Sequence, residues 1–248
     1  MKQNKIYIYG RHALREALTN APRALRRVYF AREMHDQKLR QLAKQTGVIV
    51  EELDSRKASS WVEGGAPHQG AIALVSLAEL VVPYDQWVNN PLHNVGKQKQ
   101  SLVLLNEVQD PHNVGAVIRS AAAFGASAVL LPGSKQSPVT GAVIKASAGM
   151  AFTLPLISID NIQQTVADLK KRGFRVYGLA GEGKNTLDAE EFTAPALFIL
   201  GNESKGLPQK TAQICDRVLS ISIEPKAESL NVAAAAAITL YAWHTKRQ

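Results

Sequence analysis

From residue 101 onward the chain repeats one pattern: a short apolar run, a polar or glycine-bearing break, then a stretch with helical spacing. The apolar runs cover 102–106, 128–131, 153–157, 175–179, 196–200 and 218–223, and the helical patterns cover 114–124, 141–148, 162–171 and 229–243. A strand with one wet face alternates apolar with polar residues. Most of these runs do not alternate, so both of their faces must be covered. The pattern predicts an α/β fold in which a mostly parallel sheet lies between two layers of helices.

The first third reads as a separate small α/β unit, with strands near 6–9, 27–30, 48–51 and 71–77 and helices near 12–18 and 36–44. Between the two parts, Pro83, Pro91, Gly96, Asn89, Asn90 and the run Lys97-Gln98-Lys99-Gln100 have the composition of a linker, with a short helix over 84–88. The expected division is therefore a small domain over 1–78, a linker over 79–100 that leaves the two parts free to move, and a larger domain over 101–248.

Charge separates the parts as well. Residues 1–77 hold 13 Lys/Arg against 7 Asp/Glu, whereas 78–248 hold 16 against 14, so most of the net charge of +8 sits in the first third. Concentrated positive charge releases the counterions condensed on a polyanion, which makes nucleic acid the expected partner. Arg11, Arg15, Arg23, Arg26 and Arg27 are the expected phosphate contacts, because a guanidinium presents a planar, bidentate donor pair. A lone Cys215 excludes an internal disulfide, and six scattered histidines lack metal-ligand spacing, so no metal is expected. No apolar stretch is long enough to span a membrane and none resembles a signal peptide, so the expected location is the cytoplasm.

Three segments, each beginning where an apolar run stops, carry the chemistry. The first is Asn106-Glu107-Val108-Gln109-Asp110-Pro111-His112-Asn113-Val114-Gly115, continuing to Arg119 and Ser120. Asn113 can cap the following helix and Gly115 allows close approach of a backbone or substrate, while Arg119 lies six positions beyond Asn113. The second, Gly201-Asn202-Glu203-Ser204-Lys205-Gly206-Leu207-Pro208, suits a tight loop with Glu203 between two glycines. The third, Ala227-Glu228-Ser229-Leu230-Asn231-Val232-Ala233, opens an alanine-rich helix; Ser229 is the expected N-cap, and the free N–H groups there suit an anionic group. In alternating strand–helix folds, ligands bind beyond the strand ends where these segments lie.

Taken in this order, the three segments resemble the motifs of the SPOUT superfamily, specifically its TrmH (SpoU) branch of RNA ribose 2'-O-methyltransferases, from about residue 102 to the C-terminus. Tyr9-Gly10-Arg11-His12-Ala13 and Pro67-His68-Gln69-Gly70 resemble the substrate-binding domain that precedes the catalytic domain in many of these enzymes. The resemblance implies S-adenosylmethionine as cofactor, RNA as partner, a homodimer and a trefoil-knotted chain end. The substrate it implies is a guanosine of 23S rRNA, with transfer RNA as the alternative. It places Asn113, Arg119, Glu203, Ser229 and Asn231 in the active site and assigns Gly201, Ile223 and Leu230 to the cofactor. A guanidinium stays protonated in proteins, so Arg119 is read as a positioner and not as the base. Ile223-Glu224-Pro225-Lys226-Ala227-Glu228 departs from the family's usual loop, which weakens the choice of Ile223.

Two other readings compete. Gly178-Leu179-Ala180-Gly181-Glu182-Gly183-Lys184 matches most of a phosphate-binding P-loop, but Asn185 fails its last position and no helix pattern follows. A non-catalytic RNA binder that keeps only the fold is the second; the full set of polar motif residues argues against it.

Overall fold

The computed structural model describes residues 5–62, 67–97 and 99–247. Gln98, within the expected linker, lies outside them. The first third contains β1 (Lys5–Tyr9), α1 (Arg11–Asn20), β2 (Leu25–Phe30), α2 (Gln37–Gln45), β3 (Ile49–Glu52), α3 (Ser55–Trp61) and β4 (Ala71–Ser76). These strands form one sheet in the order β1-β4-β2-β3, with β4 antiparallel to β1 and β2, and β3 parallel to β2.

Next come α4 (Leu77–Leu80), β5 (Val81–Pro83) and α5 (Tyr84–Val88), then β6 (Ser101–Leu105), α6 (Pro111–Ala123), β7 (Ala128–Pro132), α7 (Gly141–Ala146) and β8 (Leu156–Ile159). The chain continues through α8 (Ile162–Lys171), β9 (Arg175–Leu179), β10 (Asn185–Thr186), β11 (Ala196–Leu200), α9 (Gln209–Ala212), β12 (Arg217–Ser220) and α10 (Val232–Lys246). The second sheet has eight strands in the order β10-β12-β9-β11-β6-β7-β8-β5, and every pairing is parallel.

Burial explains this order. All five residues of β6 and of β11 are buried, and these two strands lie side by side near the middle of the sheet. Because strand side chains alternate between faces, Val103 and Leu105 pack with α6, α7 and α10, while Leu102 and Leu104 pack with α5 and α8. The continuous apolar runs thus feed two cores, as a doubly covered parallel sheet requires.

The stretch expected as a linker is built into the larger unit. β5 extends the sheet by pairing with β8, Val81 opposite Leu156, and Trp87 of α5 is buried in the core that holds Leu102 and Leu104. The Tyr84 hydroxyl donates to Asp168 Oδ2 at 2.7 Å, and Arg172 holds the same carboxylate at 2.8 Å. Prolines that suggested a flexible connection sit at the end of an edge strand and in a tight turn, both of which tolerate a missing N–H. Nor are the two units loose. One apolar cluster runs from Ile6, Ile8 and Leu14 into Val143 and Ile144 of α7. A Cβ on Gly141 would lie 2.4 Å from the Tyr7 carbonyl oxygen, and the Lys145 ammonium sits 5.2 Å over the Tyr9 ring.

Other limits shift for local reasons. The strand expected over 153–157 runs from Leu156 to Ile159, because Thr153 and Leu154 donate to Met150 O in a turn and so cannot join the ladder. The strand expected to reach 223 stops at Ser220, and 221–231 is irregular and largely exposed. Among the described residues no helix is long and apolar enough to cross a membrane.

Candidate active site

The carboxyl ends of β6, β9, β11 and β12 open on one side of the larger sheet, and the three motif segments meet there. Asp110 caps α6 by accepting from His112 N at 2.8 Å, and Pro111 occupies the first helical position, where no N–H is needed. Asn113 therefore lies inside the first turn and is not the cap expected from its position; the Asp-Pro pair is the stronger start signal. Gly115 is where α7 approaches: a Cβ there would lie 2.4 Å from Ala146 Cβ and 2.7 Å from Val143 O, so it serves helix packing.

At the other end of the site, Asn231 and not Ser229 caps α10, its Oδ1 accepting from Ala233 N at 2.8 Å and Ala234 N at 3.4 Å. Both residue types cap well. Asn231 has a second attachment that serine could not make, since its Nδ2 donates to Asn113 Oδ1 at 2.9 Å. Asn113 in turn donates from Nδ2 to Glu203 Oε1 at 3.2 Å. Glu203 also accepts from the backbone N–H of Gln109 and of Asp110, each at 3.1 Å to Oε1. One hydrogen-bonded line thus joins the α10 N-terminus, the α6 first turn and the β11 loop, and it fixes the orientation of both amides.

Partial burial pushes the Glu203 carboxyl upward, but the N–H of Asp110, its own N–H, the Asn113 amide and the N–H of Gln109 outweigh that and hold it below the ordinary value. Such a carboxylate stays ionised and is a poor proton acceptor. Its loop is closed by a two-residue bridge, Asn202 N to Gly206 O and Gly206 N to Asn202 O, both 2.9 Å. Asn202 also donates from Nδ2 to Glu107 O at 2.8 Å, docking the second segment on the first. The sequence reading missed Asn202, although a side chain able to both donate and accept inside a tight loop is a recognisable signal.

Beside this line lies a cavity of about 330 Å³ between the 201–206 loop, the 228–230 stretch and the ends of β9 and β12. Gly201, Glu203, Ile223, Ser229 and Leu230 all line it. Leu179, Ala180, Gly181 and Glu182 form another wall, from the stretch that matched most of a phosphate loop; what it shares with the motif segments is a polar break after an apolar strand. Ile223 and Leu230 are each 37% exposed, so this rim offers apolar surface for a ligand to cover.

Arg119 is placed differently. It is exposed on α6, has no hydrogen-bond or ion-pair partner among the described residues, and does not line the cavity. Six residues carry it about 9 Å along the helix from Asn113 and onto another side. The five arginines of the first third also divide. Arg15 pairs with Asp36 at 3.3 Å, Arg26 with Glu79 at 3.5 Å, and Arg27 with Glu51, whereas Arg11 and Arg23 have no carboxylate partner among the described residues.

Known proteins resemble this chain along nearly its whole length. The model described as "SpoU rRNA Methylase family" matches residues 100–241, and that described as "RNA 2'-O ribose methyltransferase substrate binding" matches 7–81. The 23S rRNA (guanosine-2'-O-)-methyltransferase RlmB of Xanthomonas campestris is 35% identical, covering 97% of this chain and 96% of its own. RlmB of Pseudomonas syringae is 33% identical over 94% and 93%. In fold, the chain matches the SpoU methyltransferase AviRb of Streptomyces viridochromogenes, solved in complex with AdoMet, with a TM-score of 0.84 at 24% identity over 98% of this chain and 91% of that one. With the family model covering residues 100–241, more than half of the chain, and relatives above 30% identity along almost the whole length, this chain belongs to the SpoU rRNA methylase family.

Proposed function

We propose that this protein transfers a methyl group from S-adenosylmethionine to a ribose 2'-hydroxyl of RNA, and that its substrate is a guanosine of 23S rRNA. The observation that carries the reading is the hydrogen-bonded convergence of Asn231, Asn113 and Glu203 beside a cavity of ligand size. The relatives named for the 23S rRNA reaction support the substrate.

The cavity suits the donor. Its aliphatic walls, among them Leu179, Leu200, Leu219 and Ile221, suit a purine ring, and Glu182, Glu203 and Glu228 against a single Lys205 give it a negative lining that suits a sulfonium. When bound, the donor supplies a methyl group already activated by positive charge. The chain's own residues then do the positioning. Gly201 lets the loop backbone close on the donor, with Ile223 and Leu230 covering its apolar part. Glu203 anchors Asn113, and Asn113 with Asn231 and Ser229 orients the ribose. Held ionised by its donors, Glu203 acts by orientation and not as the base. Arg119, with no partner among the described residues, holds a phosphate beside the reacting hydroxyl.

Residues 1–78 recruit the RNA and 101–248 carry the chemistry, with 79–100 acting as part of the larger unit. The chain works in the cytoplasm as a homodimer with a trefoil-knotted end. Ile238 and Tyr241, 39% and 57% exposed on α10, favour such a pairing. The direct test is methyl transfer from labelled donor to rRNA lacking the modification, followed by mapping of the methylated ribose. Arg119→Ala should lower turnover far more than donor affinity. No transfer to rRNA would refute the substrate, and equal loss of turnover and donor binding would refute the role of Arg119.

A further inference from the structure

The smaller unit contains a second cleft, of about 580 Å³, remote in sequence from the three motif segments. It lies between the start of α1, the loop after β2 and the turn before β4, and Arg11, Glu33, Met34 and the His68-Gln69-Gly70 turn line it. The turn is held in an uncommon backbone conformation, with Gln69 at φ 53 and Gly70 at φ 75. Its bonds tie it to Arg11. The Arg11 N–H donates to Gln69 Oε1 at 3.3 Å, and Arg11 Nε donates to the Gln69 carbonyl at 3.4 Å.

These bonds determine which donors are left over. With Nε engaged, the terminal Nη groups of Arg11 keep their N–H bonds, and they have no acceptor among the described residues. His68 Nδ1 accepts from Gly70 N at 3.1 Å, which puts the proton of a neutral imidazole on Nε2. That N–H likewise has no acceptor among the described residues. Behind the cleft, Arg40 donates to Ala31 O at 2.7 Å and Met34 O at 3.2 Å, bracing the loop after β2 and adding a second guanidinium. By contrast Arg15, Arg26 and Arg27 are engaged with carboxylates. An ion-paired arginine has already lost much of its field, so the excess positive charge of this unit is not spread evenly over its arginines.

We propose that this cleft seats a phosphodiester of the RNA, gripped by the Arg11 fork and the His68 Nε2–H. The proposal rests on the reading that the chain acts on RNA. The half-immobilised guanidinium is what distinguishes the site from a merely basic surface: holding Nε prepays part of the ordering that a bidentate phosphate contact needs. Among the described residues Glu33 is the one carboxylate in the lining, and it opposes the anion.

The test is filter binding of the full-length protein to 23S rRNA between about 50 and 200 mM salt. Arg11→Ala should weaken binding about tenfold and flatten the slope of log affinity against log salt by roughly 0.7–0.9, the loss of one phosphate contact. Arg11→Lys, which keeps the charge and loses the fork, should keep the slope and recover only part of the affinity. Glu33→Gln should tighten binding at low salt. Lys171→Ala, at the end of α8 in the larger unit, should stay within about twofold of the unmodified chain. Donor affinity, read in the same preparations, reports that each variant is folded. If Arg11→Ala binds rRNA with native affinity and slope, the seat is refuted; if Glu33→Gln weakens binding, the cleft reads a base edge and the phosphate assignment fails. An unmodified chain that binds no rRNA overturns the RNA reading as well, which separates the two failures.

Discussion

Replacing Gly201 with alanine should open the loop that carries Glu203. A Cβ at this position would lie 2.3 Å from Gly206 O, 2.4 Å from Gly206 C and 2.5 Å from Leu207 N. All three are backbone atoms, so no side-chain rotation relieves the clash, and the loop must give by roughly 1 Å to restore ordinary contact. Giving way breaks the Asn202–Gly206 bridge, two hydrogen bonds of 2.9 Å. At about 0.5–1.5 kcal/mol each, their loss amounts to about 1–3 kcal/mol, and the usual cost of overpacking a tight site falls in the same range of about 1–3 kcal/mol. If that free energy is spent on loop opening, donor affinity drops by about 5- to 150-fold. Melting should fall by about 2–4 °C for each kcal/mol. Calorimetric titration with the donor and a thermal melt measure both. Gly206→Ala provides the contrast: φ is +68 but nothing lies within 4 Å, so only backbone strain of about 1–2 kcal/mol is added. A Gly201→Ala protein that binds donor within about twofold of the native chain and melts at the native temperature would show the close approach to be slack, and the reasoning would fail.

Three further outcomes follow from the same contacts. Asn113→Ala and Asn231→Ala share one hydrogen bond, so their effects on urea stability should not add, with a coupling of about 0.5–1.5 kcal/mol in a double-mutant cycle; strict additivity would mean the bond is not formed in solution. Because the Glu203 carboxyl is depressed in the folded chain, the stability it contributes is present above its unfolded value and is lost as pH falls through the folded one. The stability difference between the native chain and Glu203→Gln should therefore be flat through neutral pH and shrink only below the ordinary carboxylate range, and a change centred near neutrality would contradict the assignment. Gly141→Ala, with its Cβ 2.4 Å from the Tyr7 carbonyl oxygen, should loosen the two units without touching the cavity. Limited proteolysis should then cut between them while donor affinity holds, whereas unchanged proteolysis would refute a tight fit there.

The integrated 79–100 stretch also changes how the units should be separated. Removing residues 1–98 would strip β5 and the buried Trp87 from the larger sheet and confound RNA binding with instability. Pro83, Pro91 and the polar run after Gly96 read as a connection because composition reports on local chain preference. It carries no information on whether Val81 and Val82 find a partner in β8, 75 residues further on.

Local chemistry made other parts legible. The apolar runs of β6 and β11 announce burial on two faces, since a sheet with one wet face would need alternation, and they yield the parallel order before any pairing is known. The breaks after β11 and β12 lead into residues that line the cavity, Gly201 and Glu203 after one, Ser229 and Leu230 after the other. Helix starts shift where two good caps stand close together, Asp110 before Asn113 and Ser229 before Asn231, and the short α3, α4 and α9 carry no helical expectation because a stretch of four to seven residues shows too little periodicity.

Sequence by itself determined the class of fold, the positions of the strand ends and the kinds of group available there, because hydrophobic patterning and turn chemistry act over a few residues. Tertiary structure alone decided what those groups do to one another. Asn231, Asn113 and Glu203 stand 90 or more residues apart where they bond across segments, and only the folded sheet brings them into one line. It likewise decided that Arg15, Arg26 and Arg27 are engaged by acids and that Arg11 keeps its terminal donors, since an ion pair depends on distances that a linear order of charges does not contain.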